Sequence, residues 1–452
     1  MSHWLPYHPT SDAPWNMGRV VHLHRRVIFG ACWSEIERDL ASDPQTAVTR
    51  VLDGSARQER VPADFEQIAE AIGSSAADSG DVARLQAWWL YRCLNTSDPL
   101  RERLALMWHN HFATSNLKVN DLRLMKQQNE ILRKHALDRF GDLFREVAHN
   151  PALLIWLDAP SNRAGQANEN LARESMELFA LGVGHFTEKD VKEAARALTG
   201  WNVRGDTFVA IPEMHDAGVK TILDRTGTWS GDDLLRILLE QPALSRRLAW
   251  RLTNEFFAEN VVSEAALSEF ARGLAEHQLD IRWGVETILR SELFFSSANL
   301  GTRVNDPVSF VLMPLRAFEL SNNPPSTLVL ADYVGRMGQE LFCPPNVGGW
   351  SGGRAWLSTR AVVARANYAE ALVEGRLSSP VRPIDPTKVV GHRAAASSVT
   401  NMIRATSELL FGESHDAVVR SVAEGVGTQP STGRALRNAL VELLRQPEAQ
   451  LH

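Results

Sequence analysis

Residues 168–186, NENLARESMELFALGVGHF, repeat apolar side chains at helical spacing. On a wheel of about 100° per residue, Leu171, Ala172, Ser175, Leu178 and Phe179 share one arc. Glu169, Asn170, Arg173, Glu174 and Glu177 share the opposite arc. A helix lying on a core has this pattern. Glu169, Arg173 and Glu177 are four residues apart, so Arg173 can pair with both acids, each pair contributing about 0.2–0.5 kcal/mol when exposed. Two readings follow. The face is solvated and salt-bridged, or a further layer covers it. In the covered case Glu174 and Glu177 are paired carboxylates oriented by Arg173, and Asn168, Glu169 and Asn170 contact a substrate. Burial and mutual repulsion then separate the two carboxyl pKa values, as acid–base catalysis requires.

The helical period continues in both directions, so the expected fold class is all-α, a multi-helix array. Helices are expected over 33–53 in two pieces, then over 81–95, 99–112, 120–138 and 142–157. Asp98-Pro99 supplies a cap and a first-turn proline, and Pro151 breaks or kinks the helix around it. Thr187 caps a helix that ends near Thr199-Gly200. The period is lost over 206–229, which suits one small hairpin or a long loop. Further helices fit 231–240, 243–258, 263–277, 281–291, 307–320, 326–340, 358–374, 396–411 and 431–446. Gly73–Gly80 is expected to be a loop. These elements divide into an extended arm (1–17), a helical domain (18–374), a linker (375–395) and a C-terminal helical segment (396–452).

Composition narrows the function classes. Hydrophobic residues are 44% and charged residues 23% of 452, which predicts a sizeable core. A formal charge of −6 is small for this length and gives no reason to expect nucleic acid as partner. Cys32, Cys93 and Cys343 are odd in number and far apart, which argues against a disulfide framework or a zinc–thiolate site. No apolar run is long enough for a membrane span, and residues 1–30 hold no export-type apolar region, so a cytoplasmic protein is expected.

Three segments outside the opening helix carry chemistry. In MWHNHFATSN (107–116), His109 and His111 can join one metal only if the helix ends near Trp108, because residues two apart diverge on a helix. MHDAG (214–218) adds His215 and Asp216 in the aperiodic segment. Together these four side chains would suit a divalent metal such as zinc, iron or manganese. In CPPNVGGWSGGRAWL (343–357), four glycines, Trp350, Trp356 and Arg354 can form a platform for a sugar or an anion.

HLHRRVIFGA (22–31), WHNHF (108–112), FREVAHNPALLIWLD (144–158), NENLARESMELFALGVGHFTEKDVKEAARALTGW (168–201), MHDAGVKTIL (214–223) and PPNVGGWSGGRAWL (344–357) occur in this order. Over about residues 20–372 the chain resembles a bacterial family catalogued as domain of unknown function eighteen-hundred (DUF1800). Ala180 stands where Thr is common, and Asn305-Asp306 replaces a Lys-containing approach to Pro307. The resemblance implies a helical protein whose genes neighbour a family similar to the phosphatase/sulfatase superfold. Many relatives carry export signals. It implies no activity.

The expected function is a metal-assisted or acid–base enzyme of the hydrolase class. The alternatives are a non-catalytic partner or maturation factor of a phosphatase/sulfatase-like protein, and a carbohydrate-binding protein.

Overall fold

Local capping chemistry sets where the helices begin. The computed structural model describes residues 2–320, 324–390, 399–426 and 433–452. Helix α1 (Met17–Ile28) starts at Asn16, whose side chain accepts the Arg19 amide. Helix α2 (Val82–Asn95) is capped by Asp81. Helix α3 (Pro99–His111) is capped by Asp98 with Pro99 in its first turn. Helix α4 (Leu122–Lys134) is capped by Asp121. The opening stretch gives α5 (Asn170–Glu174), followed directly by a π-helical segment over Ser175–Ala180. Thr187 and Asp190 form a reciprocal capping box for α6 (Glu188–Ala197). The later helices used below are α7 (Pro242–Phe256), α8 (Pro307–Ala317), α9 (Thr359–Val373), α10 (Val399–Phe411) and α11 (Gly433–Arg445).

Among the described residues the fold is all-α apart from two antiparallel hairpins. In the first, β1 (Trp201–Arg204) pairs with β2 (Thr207–Ala210), Trp201 opposite Ala210. In the second, β3 (Lys220–Ile222) pairs with β4 (Arg225–Gly227). The expectation was one small hairpin or a long loop over 206–229; β3–β4 lies within those bounds, and a further hairpin begins earlier, at Trp201, directly after α6. Pro151 does break its helix, with Asn150 as the new cap.

The Gly73–Gly80 loop is not formed. A helix runs from Phe65 to Asp78 through Gly73. The Ala and Ser residues sustain the helix, and Gly73 is a packing contact: a Cβ there would lie 2.6 Å from Trp88 Nε1. The α-helical wheel fails from Ser175 onward, where the wider π pitch takes over. Of the expected helices and linker, residues 391–398 and 431–432 lie outside the described residues.

Two hydrophobic cores flank α1 and α3. Leu23, Val27 and Ile28 of α1, with Leu100, Leu104, Met107 and Trp108 of α3, belong to the first core. Val20 and Val21 of α1, with Ala105 and Leu106 of α3, belong to the second. Helix α10 packs on α1 and α11 on α9, so these C-terminal helices share the second core with α1 and α2. Residues 375–390 also reach it through the buried Leu377, Ile384, Val389 and Val390. Residues 2–16 run along the first core, where Tyr7 is buried. Among the described residues no helix is long and apolar enough to cross a membrane.

A charged seam runs between the cores. Glu102 of α3, 1% exposed, accepts hydrogen bonds from Trp89 Nε1 and Arg92 Nε of α2, both at 3.0 Å, and from Arg133 Nε of α4 at 2.6 Å. Burial pushes its carboxyl pKa up, but Arg133 and Arg92 outweigh it and hold the group ionised. Replacing Glu102→Gln leaves a buried guanidinium without its carboxylate and should cost about 3 kcal/mol. Urea unfolding should show an earlier midpoint with an unchanged slope; an unmoved midpoint would mean that the seam is not a stabilising contact.

Candidate functional site

Helix α3 continues to His111, so His109, Asn110 and His111 project in three directions. His109 enters an aromatic cage, its ring centroid 5.3 Å from Trp89, 5.6 Å from Trp350 and 5.7 Å from Phe342. Burial lowers its pKa to about 3, and Nε2 has no hydrogen-bond partner. Asn110 holds the glycine-rich loop: its Oδ1 accepts the Trp350 amide at 2.7 Å, and its Nδ2 donates to the Trp350 carbonyl at 3.4 Å. Gly349 takes φ +76°, and a Cβ there would lie 2.1 Å from Asn110 Oδ1. Only glycine lets the loop approach α3 this closely.

His111 points toward the π segment. Leu181 N donates to Met176 O at 2.8 Å, a five-residue step. Near the end of such a segment, backbone carbonyls lack intrahelical donors. Here the Phe179 carbonyl accepts His111 Nε2 at 3.1 Å, and the Leu178 carbonyl accepts Arg247 Nε and Nη2 at 3.3 and 3.2 Å. A carbonyl only accepts, so Nε2 carries the proton and Nδ1 is the bare nitrogen of a neutral ring. Burial, then Arg251 and Arg247, hold the His111 pKa well below the usual imidazole range.

His111 and Arg247 line a cavity of about 750 Å³. Its walls are α3 (Arg103, Asn110, His111), α7 (Arg247, Arg251, Glu255), the 298–306 segment (Arg303, Asp306) and the 347–356 loop (Trp350, Arg354, Trp356). Arg103, 1% exposed, donates to Asp306 at 3.0 Å, lies 3.7 Å from Glu255 and stacks on Phe29. Arg303 lies 3.6 Å from Glu255 and donates to His452 Nε2 at 3.0 Å. Arg251 donates Nη2 to the Met107 carbonyl at 2.7 Å, and burial lowers its pKa to about 10.

Of the side chains singled out from the sequence, His111, Trp350, Arg354 and Trp356 line this cavity. Trp350 and Trp356 are each 7% exposed, so they are wall residues rather than open plates. The four expected metal ligands are not gathered, and among the described residues no group of three or more His, Cys, Asp and Glu side chains could hold a metal. The continuous helix separates His109 from His111. His215 Nδ1 lies 3.0 Å from the Thr199 carbonyl. Asp216 pairs with Arg196, whose hydrogen bonds lower its pKa to about 2.

The polar face of 168–177 lies outside the cavity lining. Arg173 pairs with Glu169 at 3.0 Å and with Glu188 at 2.7 Å, an exposed network rather than the Glu169–Arg173–Glu177 ladder. Asn168 accepts the Asn170 amide, and Asn170 Nδ2 reaches Asp158. Glu174 is half-buried, its pKa raised by burial and then by Glu177.

The family described as "Protein of unknown function (DUF1800)" matches residues 22–451. The chain belongs to this family. The match runs past residue 372 and takes in the C-terminal helices. No curated protein and no solved structure matches the chain. The family segments acquire structural roles: WHNHF supplies Asn110 and His111 to the cavity, the π segment supplies the carbonyls that aim His111 and Arg247, and GGWSGGRAW forms the facing wall.

Sequence reasoning missed Arg103, Asn110, Arg247, Arg251, Glu255, Arg303 and Asp306. One signal was present: Arg247, Arg251 and Glu255 have the same four-residue spacing as Glu169, Arg173 and Glu177. Gly349→Ala should displace the loop from Asn110 and destabilise the protein by about 2–4 kcal/mol, combining a left-handed residue with overpacking. Thermal unfolding and Trp emission should both shift; an unchanged melting temperature would refute the close approach.

Proposed function

We propose that the cavity is the reaction site of a DUF1800 hydrolase and that His111 is its proton acceptor. One observation carries this reading. The His111 Nε2 is tied to the Phe179 carbonyl, which leaves Nδ1 bare in a ring that lines a basic, roomy cavity. The base moves from Glu174 and Glu177 to His111, and no metal step is invoked.

In this scheme a water molecule attacks an ester, and its proton passes to Nδ1 as the new bond forms. The resulting imidazolium returns that proton to the leaving oxygen. Arg247 and Arg251 stabilise the negative charge that develops on the substrate. They also tune the base. Burial and these two cations depress the His111 pKa. An anionic substrate beside them opposes the cationic contribution and raises the basicity of the ring when it is needed.

A second reading rests on the mouth of the same cavity. Trp250 is 41% exposed, and the Arg354 side chain is 87% exposed. Both suit a rim that a phosphatase/sulfatase-like partner covers.

The test is turnover of a panel of chromogenic carboxylate, phosphate and sulfate esters. His111→Gln should retain the fold by circular dichroism and lose about 10²–10⁴-fold in turnover. The ring must be neutral to accept the proton, so turnover should fall as pH drops through the His111 pKa of the complex. Undiminished turnover in His111→Gln overturns the assignment. Stable co-purification with the partner and no turnover by the wild type would favour the second reading.

A further inference from the structure

The charges lining the cavity do not balance. Arg103, Arg247, Arg251, Arg303 and Arg354 face Glu255, Glu259 and Asp306, five cations against three carboxylates. The carboxylates are already engaged. Asp306 and Glu255 serve Arg103 and Arg303, and Glu259 lies 3.7 Å from Arg354. Arg247 and Arg251 remain. Among the described residues neither forms a salt bridge; Glu177 and Glu255 act on them only from beyond contact distance.

Both guanidinium groups are held by backbone carbonyls rather than by acids. Arg247 spends Nε and Nη2 on Leu178, and Arg251 spends Nη2 on Met107. The Nη1 of each is not used in these bonds. The residues are four apart on α7, so their Cβ atoms are about 5–6 Å apart on one helix face. Two guanidinium forks at that spacing, without counter-ions, suit one ligand group that carries two negative charges and several acceptor oxygens.

We propose that Arg247 and Arg251 form the receptor for a dianionic tetrahedral oxyanion, that of a phosphate monoester, beside His111; this rests on reading the cavity as the site of action. A carboxylate or a sulfate ester carries one charge and leaves the second guanidinium unmatched. A phosphate monoester above its second pKa, near 6, carries two. The cavity volume of about 750 Å³ leaves room for an organic group attached to the phosphate.

The experiment is titration calorimetry on the full chain near pH 8 (~2 pH units above the second phosphate pKa) at fixed ionic strength. The probes are phenyl phosphate, phenyl sulfate and benzoate, which share a ring and differ in anion. Phenyl phosphate should bind about tenfold or more tightly than the other two, and inorganic phosphate should compete with it. Arg247→Gln and Arg251→Gln should each weaken phenyl phosphate binding about tenfold. Arg336→Gln, which removes a surface cation paired with Asp332, should not. If Arg251→Gln fails to fold by circular dichroism, Arg247→Gln decides. Equal affinity for all three probes, no binding of phenyl phosphate to folded wild type, or full affinity in Arg247→Gln overturns the receptor. Phenyl phosphate binding without turnover of any ester would leave the receptor standing and sink the catalytic reading. Turnover of an uncharged ester without phenyl phosphate binding would do the reverse.

Discussion

The architecture depends on satisfying guanidinium groups buried between two hydrophobic cores. Arg26 is 0% exposed and bonds to the Phe256 and His452 carbonyls and to Asn299. Arg316, 3% exposed, donates to the Ile28 and Cys93 carbonyls. Ile28 ends α1, Phe256 ends α7 and Cys93 lies in the last turn of α2. Helix C-termini present unpaired carbonyls and the negative end of the helix dipole. A buried arginine placed there satisfies both the cation and the helix end. The helices must therefore stop where the arginines lie, which fixes their relative positions more tightly than apolar packing alone.

The same device builds the cavity wall. Arg247 and Arg251 take the Leu178 and Met107 carbonyls, and His111 takes the Phe179 carbonyl. The π segment matters here because its pitch offers adjacent carbonyls to two different partners. The family's most polar stretch thus acts on the cavity through its backbone at 178–179. Of its carboxylates, Glu169 pairs with Arg173 outside the cavity lining.

The fold was legible because its determinants are local. Asp98-Pro99, Asn150-Pro151 and the Thr187–Asp190 pair are caps that act within one turn, and all three helices start where these residues stand. The site was legible only in fragments. The 247–255 and 169–177 stretches both place charged side chains at four-residue spacing, and nothing within either window says which one faces a cavity. That depends on packing with Leu178, Asp306 and Trp350, which lie about 50–100 residues away or more from α7. Asn110 escaped notice for the same reason: its partner is the Gly349-Trp350 backbone, 240 positions along the chain. His109 and His111 could join one metal only if the helix ended near Trp108, and three further residues of helix remove that geometry.

The carbonyl-tethered arginines also bear on how such a wall can act. A half-buried cation without a counter-ion is costly, and a protein can relieve it by pairing the group with an acid or by exposing it. Neither has happened at Arg247 or Arg251. Each stem is held by a backbone oxygen, which fixes orientation without neutralising charge. An acid in the same place would lower the cost and also cancel the field that polarises a bound group. Holding the guanidinium groups by neutral dipoles keeps that field directed at the cavity before a ligand arrives, so little reorganisation is left for the binding step.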